Sequence, residues 1–174
     1  MGLRKLSACL GLIAALTFMG HVSMAAAPAK PKAGPVHITV MISVSNLDKS
    51  IDYYTRLVGL KEATRVPLGN GAFEVILSPS GKDWDSAVGL IYSPARKEPL
   101  EHGSAFNRVA VFLPTAEEVD ARVKRIADEG YKIVIPPASS TVNATGGKRV
   151  YRYSHFKDPD GYTVEFTYFD PDAP

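Results

Sequence analysis

The chain has 174 residues, 45% of them hydrophobic and 22% charged, with 20 Lys+Arg against 18 Asp+Glu and one cysteine. That length suits a single domain, and the near-balanced charge lacks the basic excess that phosphate backbones or anionic membranes need. A lone cysteine excludes an intrachain disulfide and a zinc–cysteine site.

The first 35 residues read as something other than fold. Arg4 and Lys5 make a short basic start, residues 6–18 are apolar, and Ser23-Met24-Ala25 offers small residues where a signal peptidase cuts. This is the layout of a secretory signal peptide over residues 1–25. A transmembrane anchor needs about 20 apolar residues, and this run stops at Gly20-His21. Leu6-Ser7-Ala8-Cys9 has the look of a lipid attachment site, but the apolar segment follows the cysteine instead of preceding it. Cleavage after Ala25 removes Arg4, Lys5 and Cys9 and leaves 18 basic residues against 18 acidic ones. The expectation is a neutral, cysteine-free, periplasmic or secreted protein with no nucleic acid partner and no membrane association after cleavage. Residues 26–35 carry prolines in Ala-Pro, Lys-Pro and Gly-Pro steps and read as a flexible linker.

Residues 36–170 hold the domain. Ile38, Val40, Ile42 and Val44 alternate with His37, Thr39, Met41 and Ser43, the period of a strand. Asp48 then caps a helix through about Leu57, with Ile51, Tyr54 and Val58 at helical spacing and Gly59 as its stop. Strands follow at residues 60–67, 72–78 and 87–92, separated by Gly-, Asn- and Ser-rich turns. After a polar linker, residues 93–103, the order begins again. A strand spans residues 108–113, and Thr115 with Glu118 makes a capping box. Val119, Val123 and Ile126 line one helix face up to Gly130, and strands follow at 131–135, 148–155 and 162–168, with a tight turn at Asp158-Pro159-Asp160-Gly161. A strand–helix–three-strand unit therefore occurs twice, and residues 38–59 and 109–130 have the same spacing. The fold class expected is α+β: two βαβββ modules whose mixed, largely antiparallel sheets share one core and enclose a concave cleft.

Three segments carry a resemblance. Val44-Ser45-Asn46-Leu47-Asp48-Lys49-Ser50-Ile51-Asp52-Tyr53-Tyr54 with Leu57-Val58-Gly59-Leu60 resembles the opening strand-to-helix junction of the vicinal-oxygen-chelate (glyoxalase/bleomycin-resistance/dioxygenase) superfamily. Leu113 to Ala121 resembles the start of its second helix, and Lys157-Asp158-Pro159-Asp160-Gly161-Tyr162-Thr163-Val164-Glu165-Phe166 its closing turn and last strand. The resemblance implies the glyoxalase-like fold and, in members that bind a divalent metal, ligands in the first, fourth, fifth and eighth strands. Counted onto this chain those positions fall on Thr39, at or beside Leu90, on Arg108 and on Glu165. Only Glu165 is a ligand of that kind. Zinc, nickel and iron sites take imidazole, carboxylate or thiolate from at least three residues, whereas a guanidinium has no lone pair to give and repels a cation. No family-type metal and no cofactor is expected.

Strand parity assigns the cleft instead to Thr39, Arg108, Tyr151, Tyr153, His155 and Glu165, with Lys148 and Arg152 on the opposite face. Arg108 and Glu165 admit two readings, a structural ion pair holding the strands together or an anchor for a carboxylate or carbonyl group. The tyrosine row admits simple packing as well, and His37, His102, His155 and Trp84 have ordinary surface or hydrogen-bonding readings. The first functional expectation is an exported small-molecule-binding protein that works without metal. Its rival is a glyoxalase-like lyase or isomerase, or a dioxygenase-type enzyme, using a displaced metal set such as His37, His155 and Glu165. The sequence leaves open the ligand, any catalytic residue, and whether two chains pair as a homodimer.

Overall fold

The period-two run near the start forms β1 (Thr39–Val44). Ile42 and Val44 are buried, and Thr39, Met41 and Ser43 take the other face of the strand. A computed structural model of the chain describes residues 38–82, 85–144 and 147–170; His37, Trp84 and the expected signal peptide and linker lie outside them. After β1 the chain enters α1 (Leu47–Asp52). Its cap is Asn46, whose extended backbone lets the side chain accept from Lys49 N at 3.0 Å. The expected cap, Asp48, sits instead in the first turn, where a carboxylate meets the positive end of the helix dipole. The helix then widens into a π-helical segment, Tyr53–Val58, ended by Gly59 at φ 91°. The wider winding turns the adjacent pairs Tyr53/Tyr54 and Leu57/Val58 into the core together, each at most 2% exposed.

Three antiparallel strands follow, β2 (Lys61–Gly69), β3 (Ala72–Ser78) and β4 (Ala87–Tyr92). β1 lies parallel to β4, giving the order β1-β4-β3-β2. The second module repeats the plan with β5 (Val109–Phe112), α2 (Ala116–Asp128), β6 (Ile133–Ala144), β7 (Gly147–Lys157) and β8 (Thr163–Asp170), in the order β5-β8-β7-β6 with β5 parallel to β8. The fold is the expected α+β pair of βαβββ modules. Thr115 caps α2 by accepting from Glu118 N at 3.2 Å, but the capping box is only half made, because the Glu118 carboxylate turns to Arg122. β6 runs nine residues past the expected strand end at 135. Pro136-Pro137 reads as a stop, yet β6 is an edge strand and a register shift between Ile135 and Ala138 takes up both prolines.

The buried core is continuous across both modules, from Ile42, Tyr54, Leu77 and Leu90 to Val119, Val123, Phe156 and Phe166. The junction between β1 and α1 is tied to the β7–β8 turn. Tyr54 Oη donates to Asp158 Oδ2 at 2.9 Å, and Asp158 Oδ1 also accepts from the backbone N of Asp160 and Tyr162 at 2.9 and 2.8 Å. Asp160 accepts from Ser45 N at 3.0 Å, from the Ser45 hydroxyl, and from Ser50 Oγ at 3.2 Å. Burial pushes the Asp158 carboxyl above its ordinary range, and burial followed by the Asp158 charge pushes the Tyr54 phenol well above its own. Behind the turn, His102 packs edge-on against Tyr162 and bonds the Asp160 carbonyl at 2.9 Å, which gives this linker histidine a structural place.

Candidate functional site

The second sheet has two unlike faces. Val109, Phe156, Val164 and Phe166 are buried in the core. The alternate residues stand on the open face, where the register sets Ala110, Glu165 and His155 in one row and Phe112, Thr167 and Tyr153 in the next. Arg108, one residue before β5, bonds Glu165 through Nε and Asn107 through Nη1. Glu165 is 8% exposed, and its second oxygen lies 3.7 Å from His155 Nε2. The carboxylate is thus shared between a guanidinium and an imidazole. Tyr153 stacks obliquely on His155 with ring centroids 5.8 Å apart, and Tyr151 lies 6.3 Å from Phe169, which in turn meets Phe112 at 6.4 Å. Five of the six residues assigned from parity (Arg108, Tyr151, Tyr153, His155 and Glu165) therefore share one face. Arg152 bonds Asp120 on α2, on the other face as parity requires.

Thr39 belongs to β1 of the other sheet, where it too stands on the strand face turned from the core, opposite Ile42 and Val44. At the fourth-strand position Leu90 is fully buried in the core, so the residues beside it, Gly89 and Ile91, take the other face. Gly89 has no side chain to offer. A Cβ built there would lie 2.1 Å from Met41 Sδ, so the thioether of β1 already fills that space. Threonine, glycine under methionine, and arginine do not fit the family's divalent-metal donor set, and the one matching carboxylate is held by Arg108. Among the described residues no three His, Cys, Asp or Glu side chains come together as a metal site. The displaced set places His155 beside Glu165, with its third member, His37, outside the described residues.

A cavity of about 440 Å³ lies where the free edges of the two sheets, β1 and β5, approach each other. Its walls include Ile38, Val40 and Val88 on the first sheet and Val109 and Val111 on the second, with Arg108 among them. That volume falls within the range of small-molecule pockets. Parity alone could not find this cavity. It is lined from both faces of β5, by Val109 and Val111 of the core face and by Arg108, Ala110 and Phe112 of the open face, and Ile38 and Val40 on β1 remain 67% and 39% exposed. Exposed apolar residues at one end of an otherwise buried strand face are a signal available only with burial in hand.

A model of the glyoxalase/bleomycin resistance protein/dioxygenase superfamily matches residues 34–166. The chain belongs to that superfamily. Over 126 residues it is 29% identical to a lactoylglutathione lyase of Neisseria meningitidis serogroup A, an alignment spanning 72% of this chain and 85% of that protein. A probable lactoylglutathione lyase of Synechocystis is 26% identical over 125 residues, spanning 72% and 88%. Two solved structures share the fold: the trypanothione-dependent glyoxalase I of Leishmania major (TM-score 0.57, 21% identity, 76% of this chain and 86% of that one) and TioX from Micromonospora (TM-score 0.52, 20% identity, 77% and 98%).

Proposed function

We propose that this superfamily member is an exported protein that binds a small organic molecule without the divalent metal of its enzymatic relatives. The observation that carries the reading is the Arg108–Glu165 pair. A fixed positive charge occupies the fifth-strand ligand position, and the carboxylate that would complete a metal site is its partner. Arg108 then acts as anchor for an acceptor oxygen on the ligand, and Glu165, steadied by His155, aims the guanidinium. Tyr151 and Tyr153 stand further along the open face, against Phe169 and His155.

The test is metal analysis of protein purified from its native host without added metal, together with N-terminal sequencing. The expected result is no stoichiometric zinc, nickel or iron, and a mature chain beginning near Ala26. One tightly held metal equivalent, lost in Glu165→Ala, sinks the metal-free reading; an intact Met1 sinks export. A second reading, a lyase with a displaced metal set, draws on the lactoylglutathione lyase relatives and on the closeness of His155 to Glu165. It predicts lactoylglutathione lyase activity on loading with nickel or zinc, abolished by His155→Gln.

A further inference from the structure

We infer that the ligand seat is the cavity between the free edges of β1 and β5, not the open aromatic face, and that its occupant is an apolar molecule bearing an uncharged carbonyl. This rests on the small-molecule reading above and narrows it. The cavity is walled chiefly by apolar residues, among them Ile38, Val40, Val88, Val111 and Phe112, beside Ser86, and Arg108 is the one charged residue lining it among the described residues. Burial of an apolar body is therefore its main attraction, at roughly 25 cal/mol per Å² removed from water. What the polar end must be follows from the state of Arg108.

Its guanidinium already bonds Glu165 through Nε and Asn107 through Nη1. The Arg108–Glu165 unit is neutral as a whole, and Nη2 makes no hydrogen bond among the described residues. A carboxylate entering here would gain one donor while lying close to the buried negative charge of Glu165. It would also lose its own hydration, which is expensive in an apolar seat. A ketone, ester or amide oxygen accepts from the same Nη2 without either penalty. The cavity thus selects against anions although its one charged group among the described residues is a cation.

The probes are 2-octanone and octanoate, equal in chain length and differing in charge, titrated calorimetrically into the mature protein. 2-Octanone binds more tightly, by tenfold or more. Arg108→Met weakens the ketone by about tenfold, the equivalent of one hydrogen bond to a charged donor. Glu165→Gln frees the guanidinium charge and reverses the preference, so that octanoate overtakes the ketone. Val40→Trp fills the cavity and abolishes both, and Ile38→Glu at its exposed wall weakens octanoate further. Tyr151→Ala and Tyr153→Ala leave both unchanged. Circular dichroism confirms that each variant is folded. Tighter binding of octanoate to the wild type, or no ketone binding at millimolar concentration, overturns the inference. So does loss of binding in the tyrosine variants with Val40→Trp unaffected, a result that would keep the small-molecule reading and return the seat to the open face. A dimer broken by Ile38→Glu, with no ketone bound, would show that a second copy fills the cavity and likewise overturns it.

Discussion

Replacing Arg108 tests what the second sheet was built to hold. Arg108→Met keeps most of the apolar stem and removes the charge, leaving Glu165 8% exposed with only the His155 imidazole, 3.7 Å away, as a polar side-chain neighbour. Breaking a fully buried pair from one side costs about 3–5 kcal/mol. Here the Arg108 side chain is 40% exposed, so water reaches the pair and the penalty shrinks to about 1.5–3 kcal/mol. For a domain of this size that is a fall in Tm of roughly 5–10 °C. Glu165→Gln should cost about 1 kcal/mol or less, because the orphaned guanidinium can turn to solvent while the amide still accepts. The double variant should recover about 1–2 kcal/mol relative to the sum of the singles, the signature of a coupled pair. Thermal and urea melts of the four proteins supply the cycle. Additive losses, or an Arg108→Met variant as stable as the parent, would refute the claim that Glu165 depends on this guanidinium. Strong coupling with unchanged ligand affinity would make Arg108 a purely structural residue.

Two further outcomes follow from the tie between the β1–α1 junction and the β7–β8 turn and from the π segment. Burial raises the folded-state pKa of Asp158 above its unfolded value near 3.8, so protonation stabilises the fold. Measured against Asp158→Asn, the wild type should be most favoured below about pH 4 and lose that advantage as pH rises through the raised value; urea midpoints from pH 3 to 7 that run parallel for the two proteins would contradict this. Gly59→Ala should cost more than the usual penalty of about 1 kcal/mol for a left-handed backbone position. The added Cβ would stand 2.3 Å from Arg122 Nη1, which donates to the Val58 carbonyl at 2.6 Å, so the extra cost should fall in an Arg122→Ala background while the backbone strain remains.

Most of the fold was legible because its signals are local. Alternation at 38–44, the cap at Thr115, the glycine stops at 59 and 130 and the repeated spacing all act within a few residues of one another. The misses have tertiary causes. Pro136-Pro137 was tolerated because β6 is an edge strand. The cap shifted from Asp48 to Asn46 because Ser45 and Ser50 both turn to Asp160, which sets where the helix starts. On the site, strand parity correctly gathered Arg108, Tyr151, Tyr153, His155 and Glu165, since one sheet carries them all. It could not say how β1 with Thr39 stands relative to that sheet, or that a cavity opens along β1 and β5. Those facts depend on how two sheets meet, and no periodicity within one strand encodes that.

The same contrast explains how the family can be recognised although its counted metal positions carry other residue types. The two most recognisable segments, Ser45 to Tyr54 and Lys157 to Tyr162, bond each other through Ser45, Ser50, Tyr54, Asp158 and Asp160. A change in one leaves a buried partner unsatisfied in the other, so these residues are constrained as a set by folding. The counted metal positions are tied only in part, Arg108 to Glu165. Placing a metal ligand at Gly89 illustrates how the present residues fit together. A glutamate there must first displace Met41, whose sulfur occupies the space of its Cβ, and shortening Met41 alone opens a gap over Gly89. Arg108 would have to change too, and removing it alone strands the buried Glu165. Each single change at these positions therefore asks for a shift of the Met41 thioether, opens a gap or leaves an unpaired charge. Met41 over Gly89 and Arg108 on Glu165 thus form two self-consistent local arrangements, each of which resists change at one residue alone.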